Sequence, residues 1–141
     1  MRFRTLFVYI IVAAVCAIVT TSSGCKKYEG IVGEDGSPSN VIFPSSNVSY
    51  AQEVQRLFNQ TCAIAGCHMG SSPTGRLSLE SWSNARFDLP GVIVAGSPET
   101  STMVLRIEGR VSQRMPLYRN PLNQNQINGI RAWIAEGALN N

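Results

Sequence analysis

Two cysteines and the only histidine of the chain lie together in the segment Cys62-Ala63-Ile64-Ala65-Gly66-Cys67-His68. Thiols and imidazole in this order are the side chains that hold a c-type haem, because the two cysteines form thioether bonds and the histidine binds the iron. The usual motif has two residues between the cysteines, whereas four stand here. Ala63, Ala65 and Gly66 offer little side-chain obstruction to the longer loop. Cys62, Cys67 and His68 are therefore candidate haem-attachment residues.

Three other interpretations of this segment stay open. A structural zinc site normally has four protein ligands, and no residue at conventional spacing supplies the fourth. A disulfide between Cys62 and Cys67, with His68 incidental, suits an oxidising compartment and is the main alternative. A nucleophilic Cys/His pair is disfavoured, because neighbours in sequence do not face each other and an exported reactive thiol would be oxidised.

An iron bound by His68 would need a different residue type on its other side, since the chain has no second histidine. Methionine is the natural choice, because its thioether raises the reduction potential. Met115 is the candidate: it lies in a loop, and Pro116 favours an extended backbone before it. The alternative is that Met115 is a loop residue that covers the core. The other three methionines are less suitable. Met1 would be removed with the signal, Met69 is too close to His68 to reach the opposite side of the haem, and Met103 is expected to pack in the core on an apolar helical stripe.

The N-terminus has the features of an export signal in residues 1–24. A basic start, Met1-Arg2-Phe3-Arg4, precedes an apolar run over residues 6–19, which is shorter than the roughly 20 residues of a transmembrane helix. The following Ser22-Ser23-Gly24-Cys25 resembles the lipobox of bacterial lipoproteins. We therefore expect lipidation at Cys25 and anchoring to a bacterial membrane, in the periplasm or cell envelope. An ordinary cleavable signal and an uncleaved anchor helix are the alternatives.

The chain beyond the signal divides into a tether and one domain. Residues 25–48 comprise the cysteine and a stretch rich in Gly, Ser, Pro and Asn, which predicts a flexible tether. The alternative is a set of loops packed on the domain, with residues 41–43 docking there. Without residues 1–24 the chain keeps ten Lys and Arg against nine acids. This balance gives no clustered excess of cations, so binding to nucleic acid is not expected.

Residues 49–141 are predicted to form an all-α domain of about four helices with long loops. Ser49 with Gln52, and Asn123 with Gln126, have the spacing of N-terminal capping boxes. Ser97-Pro98 is a further helix start. Apolar residues at helical spacing predict two buried faces, and the only strand signal lies at residues 92–94. The predicted helices run from Ser49 into Cys62, over residues 79–84, from Ser97 to Gly109 and from Asn123 to Gly137; the buried faces comprise Met103, Val104 and Ile107, and Ile127, Ile130, Trp133 and Ile134.

Over residues 48–139 the sequence resembles the monohaem cytochrome c domains of exported bacterial proteins that carry four residues between the haem cysteines. The resemblance implies a class I cytochrome c-like fold with one covalent haem c held by Cys62 and Cys67, His68 as the proximal ligand and Met115 as the distal ligand. Such domains often carry Gly after the histidine, where this chain has Met69. The matching segments are residues 48–58, 62, 66–68, 77–79, 94–99, 114–116, 127–134 and 136–138.

The expected function is one-electron transfer between redox partner proteins by a membrane-tethered monomer that is not an enzyme. Two other functions stay open: a haem sensor or weak peroxidase in which Met115 is labile, and a haem-free interaction lipoprotein with a disulfide. With haem accepted, the apolar residues expected to pack around or behind the ring are Leu57, Phe58, Val104, Ile107, Ile130, Trp133 and Ile134.

Overall fold

The computed structural model describes residues 38–141, in which the regular secondary structure is helical and no strand is present. This agrees with the expected all-α class. The predicted signal, Cys25 and most of the tether lie outside the described residues. None of the helices in this range is long and apolar enough to cross a membrane. In chain order, the helices are a π-helical turn Tyr50–Val54 that continues into α1 Gln55–Thr61, a 3₁₀ turn Thr74–Arg76, α2 Trp82–Phe87, a 3₁₀ turn Pro98–Thr100, α3 Thr102–Ile107 and α4 Gln124–Ala135.

Capping side chains fix where the first and last helices begin. Ser49 accepts a hydrogen bond from the Gln52 N–H at 3.3 Å, as predicted, but its own N–H donates to Glu53 at 2.8 Å rather than to Gln52. Before α4, Asn123 and Gln126 form the predicted reciprocal capping box. These two helix starts are therefore specified by local sequence.

Two other predictions need correction. The second helix was expected over residues 79–84 and instead begins at Trp82, because Ser81 accepts from the Asn84 N–H and caps it. The strand signal at residues 92–94 produces no strand. The N–H of Val94 donates to the Ser101 hydroxyl at 2.9 Å, so this backbone pairs with the residues before α3.

The start at Ser97-Pro98 gives a 3₁₀ turn, and α3 begins later, at Thr102. Ser101 interrupts the helix because its backbone is extended. Its hydroxyl donates to the Ser97 carbonyl oxygen at 3.0 Å. The predicted buried face of α3 is confirmed for Met103, Val104 and Ile107.

Helix α4 lies at the centre of the core. Ile130, Trp133 and Ile134 are buried as predicted, whereas Ile127 is only partly buried. The Trp133 ring packs against the Tyr50 ring with 5.6 Å between centroids. Its indole N–H donates to the Leu139 carbonyl oxygen at 2.9 Å. The last helix therefore joins the first helical segment to the residues that follow α4.

Residues 39–43 pack on α4, although the domain was expected to begin at Ser49. Val41 and Phe43 are buried. The Gln126 amide donates to the Ser39 carbonyl oxygen at 2.9 Å. Asn125 accepts from the Phe43 N–H at 2.8 Å and donates to its carbonyl oxygen at 3.0 Å. Apolar side chains and paired backbone groups hold residues 39–43 on α4, so the last part of the predicted tether belongs to the fold.

We expect Gly129→Ala to destabilise the protein, because a Cβ there would lie 2.1 Å from the Phe43 ring. Overpacking of this kind removes about 1–3 kcal/mol from the free energy of unfolding, despite the better helix propensity of alanine. Urea unfolding followed by circular dichroism measures the loss. The exposed neighbour gives the control Asn128→Ala, which should change stability by less than about 0.5 kcal/mol.

A double-mutant cycle separates this contact from a general intolerance of the helix. In a Phe43→Ala background, Gly129→Ala should be less destabilising than in the wild type, because the clashing ring is gone. An equal loss in both backgrounds would show that residues 39–43 do not pack on α4 as described.

Candidate functional site

A cavity of about 330 Å³ lies between α1, α3 and α4, within the size range of small-molecule sites. Its walls are mostly apolar. Leu57 and Phe58 come from α1, Met103 and Ile107 from α3, and Ile130 from α4. Six polar side chains also line it: Cys62, His68, Thr74, Thr102, Arg106 and Gln113. The other expected wall residues, Val104, Trp133 and Ile134, lie in the core behind the lining.

Three of the four sequence-predicted site residues meet at this cavity. Cys62, His68 and Met115 all line it, although Met115 is distant from the other two in sequence. Cys67 lies in the same loop as His68, is partly buried and is not part of the lining. The structure therefore brings a thiol, an imidazole and a thioether to one apolar cavity, with a second thiol beside it.

The loop from Cys62 to His68 is a closed turn. The His68 N–H donates to the Cys62 carbonyl oxygen at 3.1 Å, and the Cys67 N–H donates to the Ile64 carbonyl oxygen at 2.9 Å. Gly66 has φ +79°, a left-handed conformation that glycine adopts without strain. The four residues between the cysteines thus form a compact turn that returns His68 to the end of α1.

The His68 ring is oriented by a backbone carbonyl group. Its Nδ1 lies 3.1 Å from the Leu77 carbonyl oxygen. A carbonyl oxygen can only accept, so Nδ1 carries a proton, and in the neutral ring Nε2 is then the nitrogen with the free lone pair. The N–H of Leu79 donates to the His68 carbonyl oxygen at 2.9 Å, which fixes the backbone as well. This is the arrangement that prepares a histidine to bind a metal through Nε2.

The Cys62 thiol is protonated at neutral pH. The pKa of Cys62 is raised to about 11, chiefly by burial; the nearby Cys67 acts in the same direction, while the Thr61 hydroxyl and the Arg119 charge act against it. Because the thiolate is the reactive form of cysteine, this environment does not suit an activated nucleophile. The nucleophilic Cys/His interpretation therefore receives no support here.

Met115 is held at the cavity by α3. Its N–H donates to the Arg106 carbonyl oxygen at 3.0 Å, and its peptide bond to Pro116 is cis. Arg106 and Gln113 also line the cavity and were missed by the sequence analysis. Helical spacing contained a signal for Arg106: it stands three residues after Met103 and directly before Ile107, and both of these line the cavity.

The positions of the side chains bear on the zinc and disulfide interpretations. Across residues 38–141, no three His, Cys, Asp or Glu side chains are placed to hold a metal ion. Cys62 and Cys67 are free thiols. The chemistry of the side chains at the cavity instead fits a c-type haem, which takes thiols for its thioether bonds and imidazole and thioether for its iron.

No protein-family model, curated protein or solved structure matches this chain. The fold and the site described above are therefore the observations on which a function can be argued.

The burial of Cys62 predicts an unusual pH dependence of alkylation. In haem-free Cys67→Ser protein, the rate at which iodoacetamide modifies Cys62 should rise about tenfold per pH unit from about pH 7 to pH 10 without levelling off, because the pKa of about 11 lies above this range. Peptide mass spectrometry gives the rate, and circular dichroism checks the fold at each pH. A plateau near pH 8.5, the ordinary cysteine pKa, would contradict the described burial.

Proposed function

We propose that this protein is an exported, lipid-anchored monohaem cytochrome c of the class I type that carries single electrons between redox proteins. The observation that supports this most strongly is the meeting of Cys62, His68 and Met115 at one apolar cavity. The order of residues in the loop adds to it, since the histidine directly follows the second cysteine.

The proposed roles follow from the chemistry of each side chain. Cys62 and Cys67 would hold the haem covalently. His68 would bind the iron through Nε2, since its Nδ1 is engaged by Leu77, and Met115 would supply the second axial ligand. The bound haem would provide a one-electron Fe(III)/Fe(II) couple. Cys67 lies outside the cavity lining, so attachment requires its thiol to turn towards the ring.

The remaining residues at the cavity would tune the site. Apolar side chains such as Leu57, Phe58 and Ile130 exclude water, which favours the less charged reduced iron and raises the potential. Arg106 is the only cationic residue that lines the cavity in the described part of the chain, and a nearby positive charge acts in the same direction.

Both axial positions would be filled by side chains, so the iron would have no open site for a substrate. This favours an electron carrier over an enzyme. The partners would be redox proteins reached by a domain on a membrane tether. Residues 38–141 carry eight arginines against six acids, a small excess that gives no reason to add nucleic acid to the partners.

Visible absorption spectra test the haem and its ligands. The chain is exported from a bacterium with cytochrome c maturation machinery and measured oxidised and dithionite-reduced. We expect a Soret band, sharp reduced α and β bands and the weak far-red band of ferric iron bound to methionine. Met115→Ala should lose the far-red band, and His68→Ala should fail to give the wild-type spectrum. Met69→Ala is the matched control, because Met69 is exposed and does not line the cavity.

Two results would count against this proposal. A folded wild-type protein without a Soret band would remove the cytochrome function and favour a disulfide-bonded interaction lipoprotein. A reduced protein that binds carbon monoxide readily at neutral pH would show that Met115 is labile and would favour a sensor or weak peroxidase.

The lipid anchor is tested by labelling cells with a radioactive fatty acid. We expect the wild-type protein to incorporate label and fractionate with membranes, and Cys25→Ser to lose both, because the thiol at the predicted cleavage site would receive the lipid. Cys16→Ser is the control, since this residue lies inside the predicted signal and should be removed with it. Unlabelled wild-type protein in the soluble fraction would contradict the anchor.

A further inference from the structure

Arg106 binds the backbone of residues 112–115, here called the Met115 loop, through its guanidinium and through its own carbonyl group. Its guanidinium Nη1 donates to the carbonyl oxygens of Ser112 at 3.0 Å and Gln113 at 3.2 Å. Its own carbonyl oxygen accepts the Met115 N–H at 3.0 Å. A single residue of α3 therefore binds three backbone groups within the four residues that end at Met115.

We propose that Arg106 is the positioning residue that keeps the Met115 side chain at the cavity. This inference rests on the proposed function for its meaning, since Met115 would be the distal ligand of the haem. Arg106 itself would not bind the iron. It would act by lowering the population of open states in which the loop, and with it the thioether, leaves the cavity.

Few buried side chains hold this loop: Pro116 is buried and Met115 is partly buried, but most of the residues on either side of them are exposed. Ser112 and Gln113 are exposed, as are Leu117 and Tyr118 on the far side of Met115, and Tyr118 is 97% accessible. Gln113 has φ +61°, a left-handed conformation that non-glycine residues rarely adopt. With few buried side chains, such a segment opens readily unless its backbone groups are bound. The charge-assisted bonds from Arg106 counter this opening at Ser112 and Gln113, the exposed residues before Met115.

Arg110 provides a matched control on the same side of the domain. It follows α3, and its guanidinium pairs with Glu99 at 2.9 Å and Glu108 at 3.2 Å. Within the described residues, its guanidinium has no hydrogen bond or ion pair with residues 112–115. Arg110→Gln therefore removes the same charge and the same side-chain chemistry as Arg106→Gln while leaving the loop bonds in place.

Amide hydrogen exchange on the full chain, as its host exports it, measures loop opening directly. In Arg106→Gln we expect the Met115 amide to exchange about tenfold faster or more, because bonds from a charged donor to two carbonyl groups are lost. Arg110→Gln should exchange like the wild type. Amides in α4 should be unchanged in both variants, which separates local opening from global unfolding.

Binding of imidazole to the ferric protein gives a second readout. Imidazole competes with Met115 for the iron, so a larger open population raises its apparent affinity by the same factor as the exchange rate. We expect an increase of about tenfold or more in Arg106→Gln and none in Arg110→Gln. If Arg106→Gln does not fold, Arg106→Lys is used, in which one ammonium replaces the guanidinium and a smaller change of the same sign is expected.

The result that overturns this proposal is equal exchange at Met115 in the Arg106 and Arg110 variants. Acceleration spread evenly over the Met115 loop and α4 would also overturn it, since the role of Arg106 would then be general stability. A folded wild-type protein without haem would defeat the proposed function, yet the exchange comparison would still decide whether Arg106 holds the loop.

Discussion

The close contact between Gly129 of α4 and the Phe43 ring is the constraint on which the rest of this small fold depends. Any side chain at Gly129 would overlap that ring, so the helix and residues 39–43 have one way to pack. On its other sides the same helix buries Trp133 in the core and presents Ile130 to the cavity. The packing of α4 against residues 39–43 therefore helps to set the position of Ile130, and with it one wall of the cavity.

The side chains of the candidate site are held mainly by main-chain groups. The carbonyl oxygen of Leu77 orients His68, that of Cys62 closes the turn before it, and that of Arg106 binds the Met115 backbone. Backbone groups in packed segments are less mobile than side chains, so donors fixed by them keep their orientation when the cavity is filled or emptied. The site thus depends on the fold more than on contacts among its own side chains.

The sequence predicted what is local and missed what depends on distant partners. The capping box at Asn123 and most of the apolar stripe of α4 are set by neighbouring residues, and the structure confirms them. The Ser49 side chain caps its helix as expected, although its N–H pairs with Glu53 instead of Gln52. The docking of Phe43 was left open as an alternative, because it depends on the absence of a side chain at Gly129, far along the chain. The strand signal at residues 92–94 failed because apolar content alone does not provide a pairing partner.

The same distinction applies to the site. Residue type and order were enough to select Cys62, His68 and Met115, and their meeting at one cavity is a three-dimensional result that the sequence could only suggest. The Leu77 carbonyl was invisible to sequence reasoning, since every residue has a carbonyl group. Arg106 was overlooked because a charged residue on a helix is usually solvated, and its bonds to Ser112 and Gln113 depend on how the loop folds back.

A protein that carries electrons changes its charge by one while its contacts stay nearly the same, and the function proposed above would make this demand on the site. The His68 ring is oriented by a carbonyl group of one packed segment, and the Met115 backbone is held by Arg106 of another. Hydrogen bonds to fixed backbone groups hold both donors, so oxidation and reduction would require little rearrangement. The apolar walls add to this, because few water molecules would have to reorient as the charge changes. The fixed positions of His68 and Met115 and the exclusion of water by the apolar walls are thus the two properties that the fold would contribute to electron transfer.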